Sequence, residues 1–304
     1  MEFGCQLPSS GEAATPDNLT RVAEKMEEAG FASIWVGDHI AIPWVTRSSY
    51  FFLGQKYEIS PETPFLEPLS ALSFVAARTA KIRLGTSVLV LPHRHPLFLA
   101  KALATLDVLS KGRLIVGLGV GWLREEIESF GVPFESRAAW SDEAIELLSE
   151  SWRTDHLNFA GKYFSCRDVN LSPKPHQSNL PLWIGGQSLA ALRRAVRLGT
   201  GWHPATNSFD ELSSGIELLR AECERAGRKF EDITLSLRAL FQISKTPEMG
   251  DALLFGPAER IIQDCRRLRE IGISHVVLEP VYPTFELRFE AFISFATHIL
   301  PYVR

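Results

Sequence analysis

Short apolar runs of β character alternate with longer helical patterns about eight times along the chain. The first run is Phe3 to Leu7. A helix follows, its start signalled by Thr15-Pro16-Asp17: a capping residue, a first-turn proline and an acid. Its apolar positions Leu19, Val22, Ala23, Met26 and Ala29 recur at three- and four-residue steps, and Gly30 ends it. The second strand, Ser33 to Val36, runs straight into Gly37-Asp38-His39. A helix from Pro68 to Ala76 leads to a strand from Ile82 to Val88, and a helix from Pro96 to Ser110 leads to Leu114-Ile115-Val116. A long helix around Asp142 to Trp152 precedes the strand Leu182 to Ile184, and a helix from Ser188 to Leu198 follows it. A weaker strand at Gly201 to His203, the helix 210–226, the strand Ile233 to Leu237, the helix 258–271, the strand His275 to Leu278 and the helix 285–300 complete the series.

The strands are continuously apolar, as parallel strands covered on both faces must be. Eight strand–helix units without a composition break predict one closed α/β domain over 1–304, a (β/α)8 TIM barrel, rather than a doubly wound sheet. Three stretches interrupt the alternation: 40–67 after strand two, 239–257 after strand seven, and 157–181 between helix four and strand five. The first two fall on the C-terminal face of a barrel, where active sites are built, and the third falls away from it.

The length agrees, since about 250 residues make one such barrel and the chain has 304. Net charge is −4 and scattered, which gives no electrostatic case for nucleic acid or an anionic membrane. No apolar run approaches a membrane span, and the first residues lack the pattern of a signal peptide. Cys5, Cys166, Cys223 and Cys265 are far apart and form no Cys-x-x-Cys pair. They read as buried free thiols in a reducing compartment, so the expectation is a cytoplasmic protein.

Asp38-His39 ends the second strand, where a histidine points into the barrel mouth and its neighbouring acid fixes a tautomer or meets a ligand hydroxyl. A surface histidine with a capping aspartate satisfies the same residues. Pro43-Trp44 supplies an aromatic wall or a packed surface tryptophan. Gly85-Thr86-Ser87-Val88 suits an ordinary buried strand and equally a backbone laid under a planar ring. His93-Arg94-His95 has the His-x-His spacing of a metal pair, but His203 is the one further histidine at a strand end, and a site needs at least three protein ligands. A metal-dependent hydrolase is therefore the weaker alternative, and no metal is expected.

Gly117-Leu-Gly119-Val-Gly121-Trp122 follows strand four and opens a helix carrying Glu125-Glu126 in its first turn. Alternate glycines let backbone approach something flat or anionic. The Rossmann fingerprint differs in spacing and in position, so a nicotinamide site is not indicated. Gly185-Gly186-Gln187-Ser188 ends strand five ahead of a helix start and makes a natural phosphate cradle, or an ordinary strand–helix turn. The two glycine loops together favour a phosphorylated cofactor.

The run from Asp107 through Ser110, Gly112 and Arg113 to Gly117, Gly119, Gly121 and Trp122 resembles the signature of the bacterial luciferase-like family. So do Asp38-His39, Gly85 to Val88 and Ile184-Gly185-Gly186, in the same order and with barrel spacing. The resemblance spans nearly the whole chain and implies a single barrel using FMN or the deazaflavin coenzyme F420. The continuation from Trp122 through Glu125, Glu126 and Gly131 to Arg137 is similar to the F420-dependent subgroup.

On that resemblance Asp38 and His39 contact the cofactor ring, and the Ser87–Val88 bond is a non-proline cis peptide against its back face. Gly117, Gly119, Gly121 and Trp122 border the ring and tail, and Gly185, Gly186 and Gln187 hold the phosphate. Trp44 lines the substrate side. Where the sugar-phosphate dehydrogenases of the subgroup carry a glutamate, this chain has Trp122, which counts against glucose 6-phosphate. No Lys/Arg cluster near strands six to eight replaces a sugar-phosphate clamp. A pocket of Trp44, Trp122, Phe51, Phe52 and Phe241 reads as apolar. The expectation is an oxidoreductase passing hydride between F420 and a small, largely apolar substrate, with His39 and Trp44 as its catalytic side chains. The alternative is an FMN-dependent monooxygenase using reduced flavin and oxygen. A paired chain with a silent site is a further class, against which His39 and the Gly117–Gly121 loop argue. Family members pair through helices two and three, and Leu97, Phe98, Leu103 and Leu106 permit a homodimer here or pack on the barrel.

Overall fold

The computed structural model describes residues 1–52, 55–57, 59–245 and 250–304, with 51, 52 and 55–57 described by backbone alone. Eight parallel strands form the barrel: β1 (Glu2–Gln6), β2 (Ser33–Val36), β3 (Arg83–Val90), β4 (Leu114–Gly119), β5 (Leu182–Gly185), β6 (Gly201–His203), β7 (Thr234–Ile243) and β8 (His275–Pro280). Their order runs β6-β5-β4-β3-β2-β1-β8-β7, and the β6–β7 pairing closes the ring. The helices are α1 (Pro16–Glu28), α2 (Pro68–Ala76), α3 (Pro96–Leu109), α4 (Arg124–Ser129), α5 (Arg137–Arg153), α6 (Leu189–Leu198), α7 (Phe209–Ala226), α8 (Ala258–Glu270) and α9 (Phe285–His298). Caps set several starts as their sequence implies: Thr15 accepts from the Asn18 amide at 3.2 Å, and Ser188 from that of Ala191 at 3.3 Å.

Apolar side chains between sheet and helices make one large core. A smaller cluster, Trp35, Ile115, Trp183 and Val277, fills the barrel interior. Its two indoles stack at 5.4 Å between centroids. They fit because glycines face them on the adjoining strands: a Cβ on Gly4 would stand 2.5 Å from Trp35 Nε1, and one on Gly201 2.5 Å from Trp183 Cδ1. Among the described residues no helix is long and apolar enough to cross a membrane. Cys5, Cys223 and Cys265 are buried free thiols, while Cys166 is only half-buried.

The insertion after β2 carries a hairpin of Tyr50–Phe52 and Gln55–Tyr57. Residues 157–181 hold a second hairpin, Leu157–Ala160 with Ser165–Val169. Beyond it, Gln177 donates to Asp107 and to the Leu114 carbonyl at the start of β4, the end of the barrel away from the chemistry. The stretch 239–257 is shorter as an irregular segment than expected. The seventh strand continues through Arg238 to Ile243, and Phe255–Gly256 pair with its end. Arg238 lies one residue past the expected end of the strand, and its charge is met inside the barrel mouth by Glu279 at 2.6 Å. Leu103 and Leu106 are buried against the barrel, so of the four expected interface residues Phe98 is the strongly exposed one, at 67%.

Candidate active site

A cavity of about 960 Å³ opens at the C-terminal ends of the strands. Asp38, His39, Ser87, Val88, Gly119, Gly121, Trp122, Gly185, Gly186 and Gln187 all line it. Barrel closure thus brings together residues from β2, β3, β4 and β5.

Asp38 edges the cavity, but its carboxylate is committed to the scaffold. It accepts from the Val90 amide at 2.8 Å and from Arg94 at 2.7 and 3.0 Å, and Arg94 also reaches Glu67 at 2.8 Å. Burial pushes the Asp38 pKa up, yet the adjacent His93 ring and Arg94 guanidinium outweigh it and hold the group at about 2.

His39 is organised from the other side of the cavity mouth. Its Nδ1 lies 2.8 Å from Oε2 of Glu126 on α4. Oε1 of the same carboxylate accepts from the Ile40 and Ala41 amides at 2.7 and 3.0 Å. Burial raises the Glu126 pKa, but His39, His93 and the Ile40 amide together draw it below the ordinary range. Glu126 is therefore an ionised acceptor, so Nδ1 of His39 carries a proton and Nε2 is the nitrogen left for exchange. Glu125 ties down the next stretch, accepting from the Arg47 amide at 2.6 Å and from the Ser48 hydroxyl at 2.7 Å. Two adjacent glutamates in one helical turn thus dock the start of the insertion. Trp122 stacks on Tyr50 at 5.6 Å and meets the His39 ring edge-on at 6.1 Å.

The Ser87–Val88 peptide is cis, as the resemblance implied. β3 shifts register against β4 between Thr86 and Leu89, and Val88 projects over Gly119 and Gly185. A Cβ on Gly119 would stand 2.5 Å from Val88 Cγ2, and one on Gly185 2.8 Å from Val88 Cγ1. Gly186, at φ +101°, turns the chain toward α6, and its carbonyl accepts from the Trp202 indole at 2.8 Å.

Several expectations need correction. Gly117 does not line the cavity; it lies in the β4 ladder, where a Cβ would collide with the Thr86 carbonyl. Trp44 is 77% exposed and stands off the cavity, because the segment around it is anchored through its backbone to α4. Phe241 is fully buried in the outer core beside Phe292 and Phe295. The side chains of Phe51 and Phe52 lie outside the described residues. His93 and His95 do not share a site. The His93 ring sits 3.8 Å from Asp38 and 3.7 Å from Glu126, whereas His95 caps α3 and packs on Phe164. Among the described residues no group of three or more His, Cys, Asp or Glu is placed to hold a metal ion.

The cavity is also less apolar than its sequence suggested. Val22, Phe65, Phe285, Phe289 and Phe292 make apolar walls, but Arg238, Glu279, Gln6, Gln242 and Arg288 line it too. Arg238 donates to Glu279 and, at 3.2 Å, to the Ser87 carbonyl. Glu126 falls in the run that resembles the F420-dependent subgroup but was given no role there, and no motif surrounds Arg238 and Glu279. The one available signal was that β-type runs continue on either side of the last two.

Fold and site define a TIM barrel with a large, partly polar cavity at the face where such barrels carry out chemistry. The chain belongs to the luciferase-like monooxygenase family, which residues 1–274 match, and it is an oxidoreductase. It is 31% identical over 231 residues to the F420-dependent glucose-6-phosphate dehydrogenase of Amycolatopsis mediterranei, covering 74% of this chain and 65% of that one. The fold is similar to a monooxygenase of Streptomyces bottropensis, with TM-score 0.79, 23% identity and full coverage of both chains. It is likewise similar to the F420-dependent tetrahydromethanopterin reductase of Methanopyrus kandleri, with TM-score 0.80, 18% identity and coverage of 100% and 99%.

Proposed function

We propose that the chain transfers hydride between coenzyme F420 and a small organic substrate with a largely apolar body. The observation that carries this reading is the Glu126-oriented His39 on the rim of a cavity whose wall is Val88 seated over two glycines. The residues fit a flat phosphorylated cofactor. A Cβ at Gly119 or Gly185 would drive Val88 into the space a ring would occupy, and Gly186 precedes the capped N-terminus of α6. Gly185, Gly186 and Gln187 would hold the phosphate, Gly119, Gly121 and Trp122 would border the ring and tail, and Val88 would back the ring. When bound, F420 supplies the hydride chemistry at its C5. The protein's own contribution is to orient the reactants, exclude water with the Phe285, Phe289 and Phe292 wall, and move a proton at Nε2 of His39. The named dehydrogenase at 31% identity supports F420 over FMN.

Fluorescence titrations of the purified chain with F420 and with FMN, run separately, test this. F420 binding at micromolar concentration is expected; binding of FMN alone would put the monooxygenase reading, with reduced flavin and oxygen, in its place. The same reading includes pairing of two chains through α2 and α3, supported by the exposed Phe74, Phe98 and Leu109. Light scattering at micromolar concentration, giving one protomer or two, checks it.

A further inference from the structure

Val88 backs the cavity, but the segment carrying it has left the strand ladder: β3 pairs with β4 at Thr86 and again at Leu89, not between. Something other than sheet pairing must fix it. Two side chains from the far side of the barrel do so. Arg238 of β7 donates to the Ser87 carbonyl at 3.2 Å. His203 of β6 lies 2.8 Å through Nε2 from the Ser87 hydroxyl, and 2.8 Å through Nδ1 from the Ser236 hydroxyl.

The direction of each bond follows from the last partner. Ser236 Oγ stands 2.9 Å from the Trp202 carbonyl, which only accepts, so the single hydroxyl proton of Ser236 is given there. His203 Nδ1 must then carry a proton and donate to Ser236, which leaves Nε2 as an acceptor. The Ser87 hydroxyl donates to it. All three side chains are buried, and the imidazole is stacked 5.2 Å from Trp35. The chain of bonds therefore has one polarity, running from the cavity wall into the barrel interior.

We infer that His203 is a positioning residue of the cofactor site: through the Ser87 hydroxyl, and together with Arg238 on the Ser87 carbonyl, it sets where Val88 stands in the cavity. The inference rests on the reading that Val88 backs a bound flavin or deazaflavin ring. Nothing in the sequence around His203 signals it, because its partner lies 116 positions away.

The two amide side chains separate the two halves of the imidazole. Asn at 203 places its amide where Nδ1 was, keeping the Ser236 bond and losing Ser87. Gln reaches the Nε2 position and accepts from Ser87. Dissociation constants for F420 and FMN are measured by fluorescence for the wild type, Ser87→Ala, His203→Asn, His203→Gln and the Ser87→Ala/His203→Asn double variant, with Tm in parallel. Loss of one buried hydrogen bond predicts weaker cofactor binding by about fivefold in Ser87→Ala and His203→Asn. The double variant should be no weaker than either single one, and His203→Gln should stay within about twofold of the wild type. Equal losses in His203→Asn and His203→Gln, or additive losses in the double variant, would mean that His203 only fills space and would overturn the inference. A wild type that binds neither cofactor overturns the cofactor reading and this inference together. A wild type that binds, with His203→Asn unchanged, overturns the inference alone.

Discussion

Nδ1 of His39 stands 2.8 Å from Oε2 of Glu126, across 87 positions of sequence. A residue at the exit of β2 therefore takes its tautomer from the first turn of α4. The same carboxylate holds the Ile40 and Ala41 amides, so one buried anion fixes both the ring and the backbone that presents it. Replacing it by Glu126→Gln keeps an acceptor for those amides but removes the charge that holds the proton on Nδ1. With the variant's oxygen on those amides its NH2 faces Nδ1, so long-range ¹⁵N–¹H spectra of His39 should move from the Nδ1-protonated tautomer in the wild type toward the Nε2-protonated one. An unchanged spectrum would show that the tautomer is set elsewhere.

The Val88 seat predicts a suppressor pair. A Cβ added by Gly119→Ala meets Val88 Cγ2 at 2.5 Å, so the valine must move into the cavity. Overpacking of this kind costs about 1–3 kcal/mol of stability, and cofactor affinity should fall at least about tenfold as the ring space narrows. Adding Val88→Ala to Gly119→Ala should recover most of the stability. If affinity is unmoved by Gly119→Ala, the ring does not lie there.

His203 makes stability depend on pH. Burial, with His275 and Arg238 nearby, lowers its pKa from 6.5 to about 3 in the folded chain. Below the unfolded value the unfolded state binds the proton and the folded state does not, so this group's contribution falls as pH drops from about 6.5 toward 3. The slope for one proton is about 1.4 kcal/mol per pH unit. Urea unfolding between pH 6 and 4 should show stability declining with acid, and His203→Asn should flatten the slope by about that amount. Equal slopes would mean that His203 takes up a proton while folded.

Asp38 and Arg94 form a buried pair at 2.7 Å, with Asp38 almost wholly enclosed. Arg94→Ala leaves that buried carboxylate without its guanidinium partner, held by the Val90 amide and the nearby His93 ring, and the expected loss is about 3–5 kcal/mol. It should be read as a lower urea midpoint at constant m-value. A loss below about 1 kcal/mol would show that water or movement replaces the arginine.

Trp44 supplies the opposite expectation. With 77% of its surface exposed and the side chain off the cavity, Trp44→Ala should change stability by less than about 0.5 kcal/mol and leave cofactor affinity as it was. A tenfold loss of affinity would return it to the site.

The barrel was legible because its signals are local. Continuous apolar runs at Ser33–Val36 and Leu182–Gly185, proline-led helix starts at Pro16, Pro68 and Pro96, and glycines at turns each act over a few residues. The hairpin 157–169 escaped notice, since its strands are only four and five residues long and expose most of their side chains. β7 was expected to end at Leu237 and runs on to Ile243, and the partner on β8 shows how the strand accommodates Arg238.

By itself the sequence determined the architecture, the cavity's place at the strand ends and the glycines that shape its wall, because periodicity, caps and chain order are properties of neighbouring residues. It did not determine which polar groups meet. His39 with Glu126, Ser87 with His203, and Arg238 with Glu279 lie 87, 116 and 41 positions apart. Their separations in space are fixed only when the ring of strands closes. The tertiary structure decided these pairings, and with them which carboxylates serve the scaffold, which nitrogen of His39 is left for proton exchange, and why Trp44 stands outside.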